Sequence, residues 1–222
     1  MVYKMQSLIR IIENLKNSSI KNVIDSRTKE FSELGKKPIN EIFKELCFCL
    51  LTANFSAQGG IKIQKEINNG FLTLSETDLA KKLSELGHRF PNARAKYIFL
   101  ARQKINDLME ILKNEKDELK VREWLVKNIK GLGMKEASHF LRNIGYKNLA
   151  IIDFHIIDLL ARNNLIDHKE DSSGKKPKSK SLTPKKYLEI ENLLKKIAEK
   201  TNLNLGKLDL YLWHQETRKI LK

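Results

Sequence analysis

Two short stretches hold residue types whose spacing could do chemistry. They are Lys130-Gly131-Leu132-Gly133-Met134-Lys135-Glu136-Ala137 and, eighteen positions beyond Lys135, Ile151-Ile152-Asp153-Phe154-His155. Glycine admits positive φ, so the chain can reverse within Lys130–Gly133, and amides without a neighbouring Cβ can approach a phosphate. A helix opening at Met134 would offer its unpaired N–H groups and positive dipole end to an anion. Lys135 then falls in the first turn, where the helix end and partial burial both disfavour an ammonium. A neutral amine attacks carbon and an ammonium does not. Asp153 stands among apolar neighbours and can cap a helix from Phe154, offset a developing cation, or do both. A phosphate clamp, an amine nucleophile and a carboxylate together suit removal of a base from DNA.

Each piece also has a plainer reading. A helical hairpin can carry glycines at its bend without touching DNA. Lys135 can be a surface lysine on phosphate, Asp153 only a cap, and His155 a structural histidine instead of a phosphate donor. Trp213, the second tryptophan, can be plain core.

The elements that must position these groups read as helix throughout. Apolar residues recur three and four apart, and strict alternation is scarce. The pattern predicts helices near 4–17, 19–33, 39–54, 59–71, 76–85, 92–113, 117–129, 134–144, 154–163, 184–200 and 205–218. The hairpin helices would pack through Leu119, Trp124, Leu125 and Ile129 on one side and Ala137, Phe140, Leu141 and Ile144 on the other. Leu132 would lie beneath the bend. Ser75-Glu76-Thr77-Asp78 and Thr183-Pro184 carry helix-start chemistry, and Gly145 marks a stop. The helix after Pro184 presents Tyr187, Ile190, Leu194, Ile197 and Ala198 on one face. No repeat of fixed period occurs. Ser172–Lys180 lacks apolar residues and reads as a solvated, mobile loop.

Size and charge bound the function. A chain of 222 residues can bury a substantial core as one domain or two subdomains. The net charge of +15 favours a polyanionic partner, although a lysine-rich proteome would give the same excess. Cys47 and Cys49 are two apart on a helix, so they do not face each other and read as buried free thiols. With two cysteines, neither a four-cysteine zinc site nor a four-cysteine iron–sulfur cluster can form. That cysteine usage fits a reducing cytoplasm, with nucleoid association if the source is prokaryotic. The N-terminal pattern Leu8, Ile11, Ile12 and Leu15 is interrupted by Arg10, Glu13 and Lys16, unlike a signal peptide. No stretch approaches the length of a membrane span.

At Gly131-Leu132-Gly133-Met134-Lys135 and Asp153-Phe154-His155 the chain resembles the helix-hairpin-helix superfamily of DNA glycosylases. That signature is a Gly-apolar-Gly hairpin, a lysine two residues beyond it and a downstream Asp-x-His, matched in order and spacing. Leu50-Leu51-Thr52-Ala53-Asn54-Phe55-Ser56-Ala57 resembles a DNA-facing turn of the archaeal-type 8-oxoguanine DNA glycosylases. Arg89–Ile98 is similar to another block of that group, and Leu208-Asp209-Leu210-Tyr211-Leu212-Trp213, running on to Lys222, looks like its tail. The likeness extends from about residue 40 onward. Two features depart from it: Arg218 follows Thr217 where a glycine is expected, and the lysine-rich loop near 170–182 looks like an insertion.

The resemblance implies an all-α fold of two helical subdomains with the active-site cleft between them, a middle one at 36–147 and another from 1–35 with 148–222. It implies a bifunctional 8-oxoguanine DNA glycosylase and AP lyase, with Lys135 as nucleophile and Asp153 as the essential acid. Trp213 and Lys222 would help form the base pocket. Gly131, Leu132, Gly133, His155, Asn54 and Arg94 would meet DNA. The partner would be double-stranded DNA containing 8-oxoguanine, with no membrane, cofactor or metal, and the absence of sustained heptads suggests a monomer. A glycosylase of the same fold for another damaged base, and a noncatalytic hairpin module, remain as alternatives. The pairing of Lys135 with Asp153 argues against the module.

Overall fold

The computed structural model describes residues 2–167 and 182–222; the lysine-rich stretch singled out in the sequence lies outside them. Thirteen helices and no strand occur among the described residues. They are α1 (Val2–Lys16), α2 (Ile20–Leu34), α3 (Ile39–Thr52), α4 (Ala57–Ile67), α5 (Gly70–Thr73), α6 (Glu76–Glu85), α7 (Pro91–Arg102), α8 (Ile105–Asn114), α9 (Glu118–Asn128), α10 (Met134–Asn143), α11 (Phe154–Arg162), α12 (Pro184–Lys200) and α13 (Leu205–Thr217). Among the described residues, no helix is long and apolar enough to cross a membrane. The chain divides into two compact units, Lys29–Tyr146 with Leu221–Lys222 and Met1–Thr28 with Lys147–Ile220.

In the first of these, α3 is the axis. Every residue from Ile42 to Thr52 is buried, and α4, α5, α7, α8 and α10 pack around it. A helix buried on all sides requires such a cover. Cys47 and Cys49 are free, fully buried thiols, and burial pushes both well above the ordinary thiol range. The carboxylate of Glu45 is sealed in with them at 2% exposure. It accepts from Asn143 Nδ2 at 2.6 Å, Gln64 Nε2 at 3.0 Å and Lys222 Nζ at 2.8 Å. The residues 29–35, expected outside this unit, are tied to it at two points. The Arg142 guanidinium lies 4.7 Å over the Phe31 ring, and a Cβ on Gly35 would fall 2.1 Å from the Ile144 carbonyl oxygen.

In the second unit, α1, α12 and α13 pack mutually and α11 lies against α13. The expected face of α12 is the buried one: Tyr187, Ile190, Leu194, Ile197 and Ala198. The Tyr187 hydroxyl donates to the Ala150 carbonyl at 2.6 Å, and the Ala150 amide donates to buried Glu191 at 2.9 Å. These bonds fix the segment that leads into Asp153.

Helix ends follow local chemistry. Ser75 and Thr183 accept amide hydrogen bonds from Asp78 and Lys186, and Pro184 opens α12. After α10, Gly145 adopts φ +98° while the Tyr146 amide reaches back to the Leu141 carbonyl. Two expected helices are each broken. The 59–71 segment ends α4 at Asn68, whose φ is +43°, and the Lys44 ammonium holds the side-chain oxygens of Asn68 and Asn69. The 92–113 segment divides at Gln103–Lys104. There Arg102 turns away to donate to the carbonyls of Phe71 and Leu74, capping α5. Buried Arg94, Ile98, Ala101 and Leu108 keep a helical rhythm across that break, so periodicity could not reveal it. Of the expected face of α9, Leu125 and the following Ile129 are buried, whereas Leu119 is exposed and Trp124 half-buried; Val121 and Arg122 join the inner face.

Helix α13 stops at Arg218, in the left-handed region at φ +59° and ψ +20°, its amide bonded to the His214 carbonyl. This is the position where a glycine was expected, and Arg carries the Cβ penalty there. Arg218→Gly should therefore raise stability by about 1 kcal/mol, read as a higher Tm in thermal denaturation. A lower Tm would show that the arginine side chain outweighs its backbone strain.

Candidate active site and nucleic-acid interface

The hairpin joins α9 to α10. Only Gly131 uses the left-handed region, at φ +95°; Gly133 is extended at φ −94°. The two glycines therefore serve different ends. At Gly131 a Cβ would lie 2.4 Å from Cδ2 of Tyr97, so the backbone of the bend rests directly on that ring. Arg94 and Lys130 place their charges 5.6 Å and 6.0 Å from the same ring's centroid. Leu132 is buried under the turn, its amide donating to the Ile129 carbonyl. Gly133 is exposed, and its amide donates to Glu136 Oε2 at 3.3 Å.

Lys135 sits in the first turn of α10, half-buried. Its Nζ is 3.1 Å from Glu136 Oε1, with side-chain exposures of 26% and 15% for the pair. The buried Cys49 and His139 both feel the Lys135 charge. His139 is packed edge-on against Phe48. Burial, then the Arg142 and Lys135 charges, hold its imidazole well below the usual value of 6.5, outweighing a hydrogen bond to the Lys222 backbone.

Lys222 occupies the same unit. Its ammonium bonds Glu45 and Gln64 Oε1 and lies 4.5 Å above the Phe48 ring centroid. Asn54 is exposed, at φ +60°, on the turn between α3 and α4. Arg94 does not face outward as expected. It is buried, and its guanidinium donates to the Ala53 carbonyl at 2.6 Å. His88 completes the support: it pairs with the Leu51 carbonyl at 3.0 Å and stacks on Phe55 at 4.4 Å. Arg94 and His88 thus brace the turn that exposes Asn54.

The remaining candidates belong to the other unit. Asp153 caps α11, accepting the Ile156 amide at 3.0 Å, as its sequence position allowed. The following Phe154 is 59% exposed and stacks on His155 with centroids 3.9 Å apart. Half-buried Trp213 meets His155 edge-on at 6.2 Å, so it is not sealed core. Three neighbours of the candidate residues were missed in the sequence. Glu136 had a usable signal, since it stands three residues past Gly133 in capping-box spacing. Phe154 lay within a quoted motif, but its exposure is a tertiary outcome. Glu45 carried no signal, because one acid in a helix does not reveal its depth.

The all-helical architecture and the glycine hairpin opening into α10 are those of the helix-hairpin-helix class. Residues 24–203 match the family model described as 8-oxoguanine DNA glycosylase. An 8-oxoguanine DNA glycosylase/AP lyase of Methanocaldococcus jannaschii is 55% identical over 217 residues, 97% of this chain and 99% of that protein. One of Korarchaeum cryptofilum is 50% identical over 218 residues, 98% and 99% of the two chains. The crystal structure of the Methanocaldococcus jannaschii 8-oxoguanine glycosylase/lyase with a 15mer DNA containing 8-oxoguanine matches with a TM-score of 0.90. That match has 53% identity and covers 97% of this chain and 100% of the other. This chain therefore belongs to the 8-oxoguanine DNA glycosylase family.

The buried histidine makes stability depend on pH. In the unfolded chain, imidazole takes up a proton near 6.5, whereas His139 in the fold does so only at lower pH. Below 6.5 the unfolded state binds more protons, so stability falls as pH falls. His88 and His214, also lowered by burial, act in the same direction. Denaturant melts between about pH 7 and about pH 5 should show this loss, with a shallower slope for His139→Asn. An unchanged slope in the variant would remove His139 as a source.

Proposed function

We propose that this chain excises 8-oxoguanine from double-stranded DNA and cleaves the strand by β-elimination through a lysine Schiff base. The carrying observation is Lys135, half-buried in the first turn of the hairpin helix, in a chain of this family. The target base is inaccessible inside the stack, so it must be flipped out. Gly131, Leu132 and Gly133 bring the positive end of α10 up to a phosphate, His155 donates to another, and Asn54 meets DNA from its exposed turn. Trp213 is an aromatic wall for the base, and Lys222 a second pocket residue.

Lys135 Nζ bonds to C1′ as the C1′–N9 bond breaks, and the electron pair leaves with the base, which takes a proton. Asp153 offsets the positive charge on the sugar during this step. The nitrogen loses a proton, the C1′–O4′ bond breaks as O4′ takes one, and a protonated Schiff base forms. Removal of a C2′ proton then expels the 3′ phosphate, and water releases Lys135. No electron enters or leaves, so no redox cofactor takes part. One copy of the chain acts per lesion. A noncatalytic hairpin module would need neither the amine nor the acid.

Borohydride trapping on a duplex with one 8-oxoguanine tests this reading. Wild type should give a lesion-dependent covalent adduct, and Lys135→Gln should bind the duplex and give none. Trapping that survives in the variant would remove Lys135 from the role. No adduct with wild type, despite binding, would favour another damaged base or a noncatalytic module.

Asp153→Asn separates chemistry from capping, because the Asn side-chain oxygen can still accept the Ile156 amide. It should keep its Tm and lose roughly a hundredfold or more in single-turnover base excision. Loss of folded protein instead would make Asp153 chiefly a cap.

A further inference from the structure

Adjacent residues on a helix point in different directions, so Lys135 and Glu136 have no reason of periodicity to meet. They meet because the Glu136 side chain curls back over the helix start. Its two oxygens are divided: Oε2 accepts the Gly133 amide at 3.3 Å, and Oε1 lies 3.1 Å from Lys135 Nζ. A Cβ at Gly133 would stand only 3.1 Å from that Oε2, so glycine at 133 leaves the carboxylate its place. The Arg94 guanidinium, fixed on the Ala53 carbonyl, also feels the Glu136 charge. One carboxylate is therefore shared by the hairpin backbone and the amine of the next turn.

We propose that Glu136 is the positioning residue for Lys135, clamping its flexible side chain at a fixed place relative to the hairpin. This rests on the reading of Lys135 as nucleophile. A free lysine spreads over many rotamers, and holding it near the attack geometry converts that entropy into rate. The same carboxylate stands 3.1 Å from the amine whose proton must leave before attack, and it faces the cation that Lys135 becomes in the protonated Schiff base, so it serves the covalent step at both points. A capping glutamate alone would do neither.

Glu136→Gln distinguishes the two, because its side-chain oxygen can still accept the Gly133 amide while the charge is gone. We expect unchanged Tm, unchanged half-saturation in enzyme titrations, and a single-turnover trapping rate reduced roughly tenfold or more at saturating enzyme. Glu136→Ala should match that rate loss and also lower Tm, since the cap goes too. Lys135→Gln runs alongside. If it abolishes trapping while Glu136→Gln traps at the wild-type rate, Glu136 is only a cap and the proposal fails. If Lys135→Gln still traps, the nucleophile reading fails with it.

Discussion

A carboxylate sealed in a helical core must be met by donors or lost to protonation, and Glu45 organises its unit on that condition. Its donors come from three places far apart in the chain: Gln64 on α4, Asn143 on α10 and the Lys222 ammonium. Removing any one would leave a buried charge short of a partner, so the three segments must dock in one register. The C-terminal end of α10 is fixed through Asn143. Its N-terminal turn is where Lys135 stands. The polar network under α3 and the candidate nucleophile are thus two ends of one rigid helix.

The bend before α10 obeys a different constraint. Gly131 must have positive φ and must lack a Cβ, because the Tyr97 ring occupies that space. Gly133 needs neither property for its backbone, and instead gives its amide and its open side to Glu136. A Gly-apolar-Gly pattern therefore encodes one contact to the core, one apolar plug and one polar tether. The loop is held from below by an aromatic ring and from above by a carboxylate, which leaves little freedom in a segment of four residues.

Support also comes from residues that look like ligands in the sequence. Arg94 sits in a block that invites a phosphate contact, yet its guanidinium is turned inward to a backbone carbonyl. Arginine does this well, since its rigid fork can satisfy a carbonyl in a partly dry setting while its charge rests near an aromatic face. Positioning of the Asn54 turn, with His88 beneath it, is then a structural task performed by charged side chains. On the other unit, Phe154 and Trp213 both meet His155, and Phe154 stays exposed next to the Asp153 cap of α11.

Helix content, most helix ends, the hairpin, the Asp153 cap and the candidate pair Lys135 and Asp153 were legible in the chain alone. These depend on interactions within a few residues: 3.6-residue periodicity, capping oxygens, and glycine where a bend is sharp. Tertiary structure decided the rest. The breaks at Asn68 and Lys104 go with long-range contacts, from Lys44 to Asn68 and Asn69 and from Arg102 to the Phe71 and Leu74 carbonyls. Whether Arg94 points to solvent or core, whether Trp213 is sealed or half-open, and which donors reach Glu45 depend on residues tens of positions away. Local sequence determines which backbone shapes are cheap; only packing determines which side chain finds which partner, because that choice is made among groups the chain brings together last.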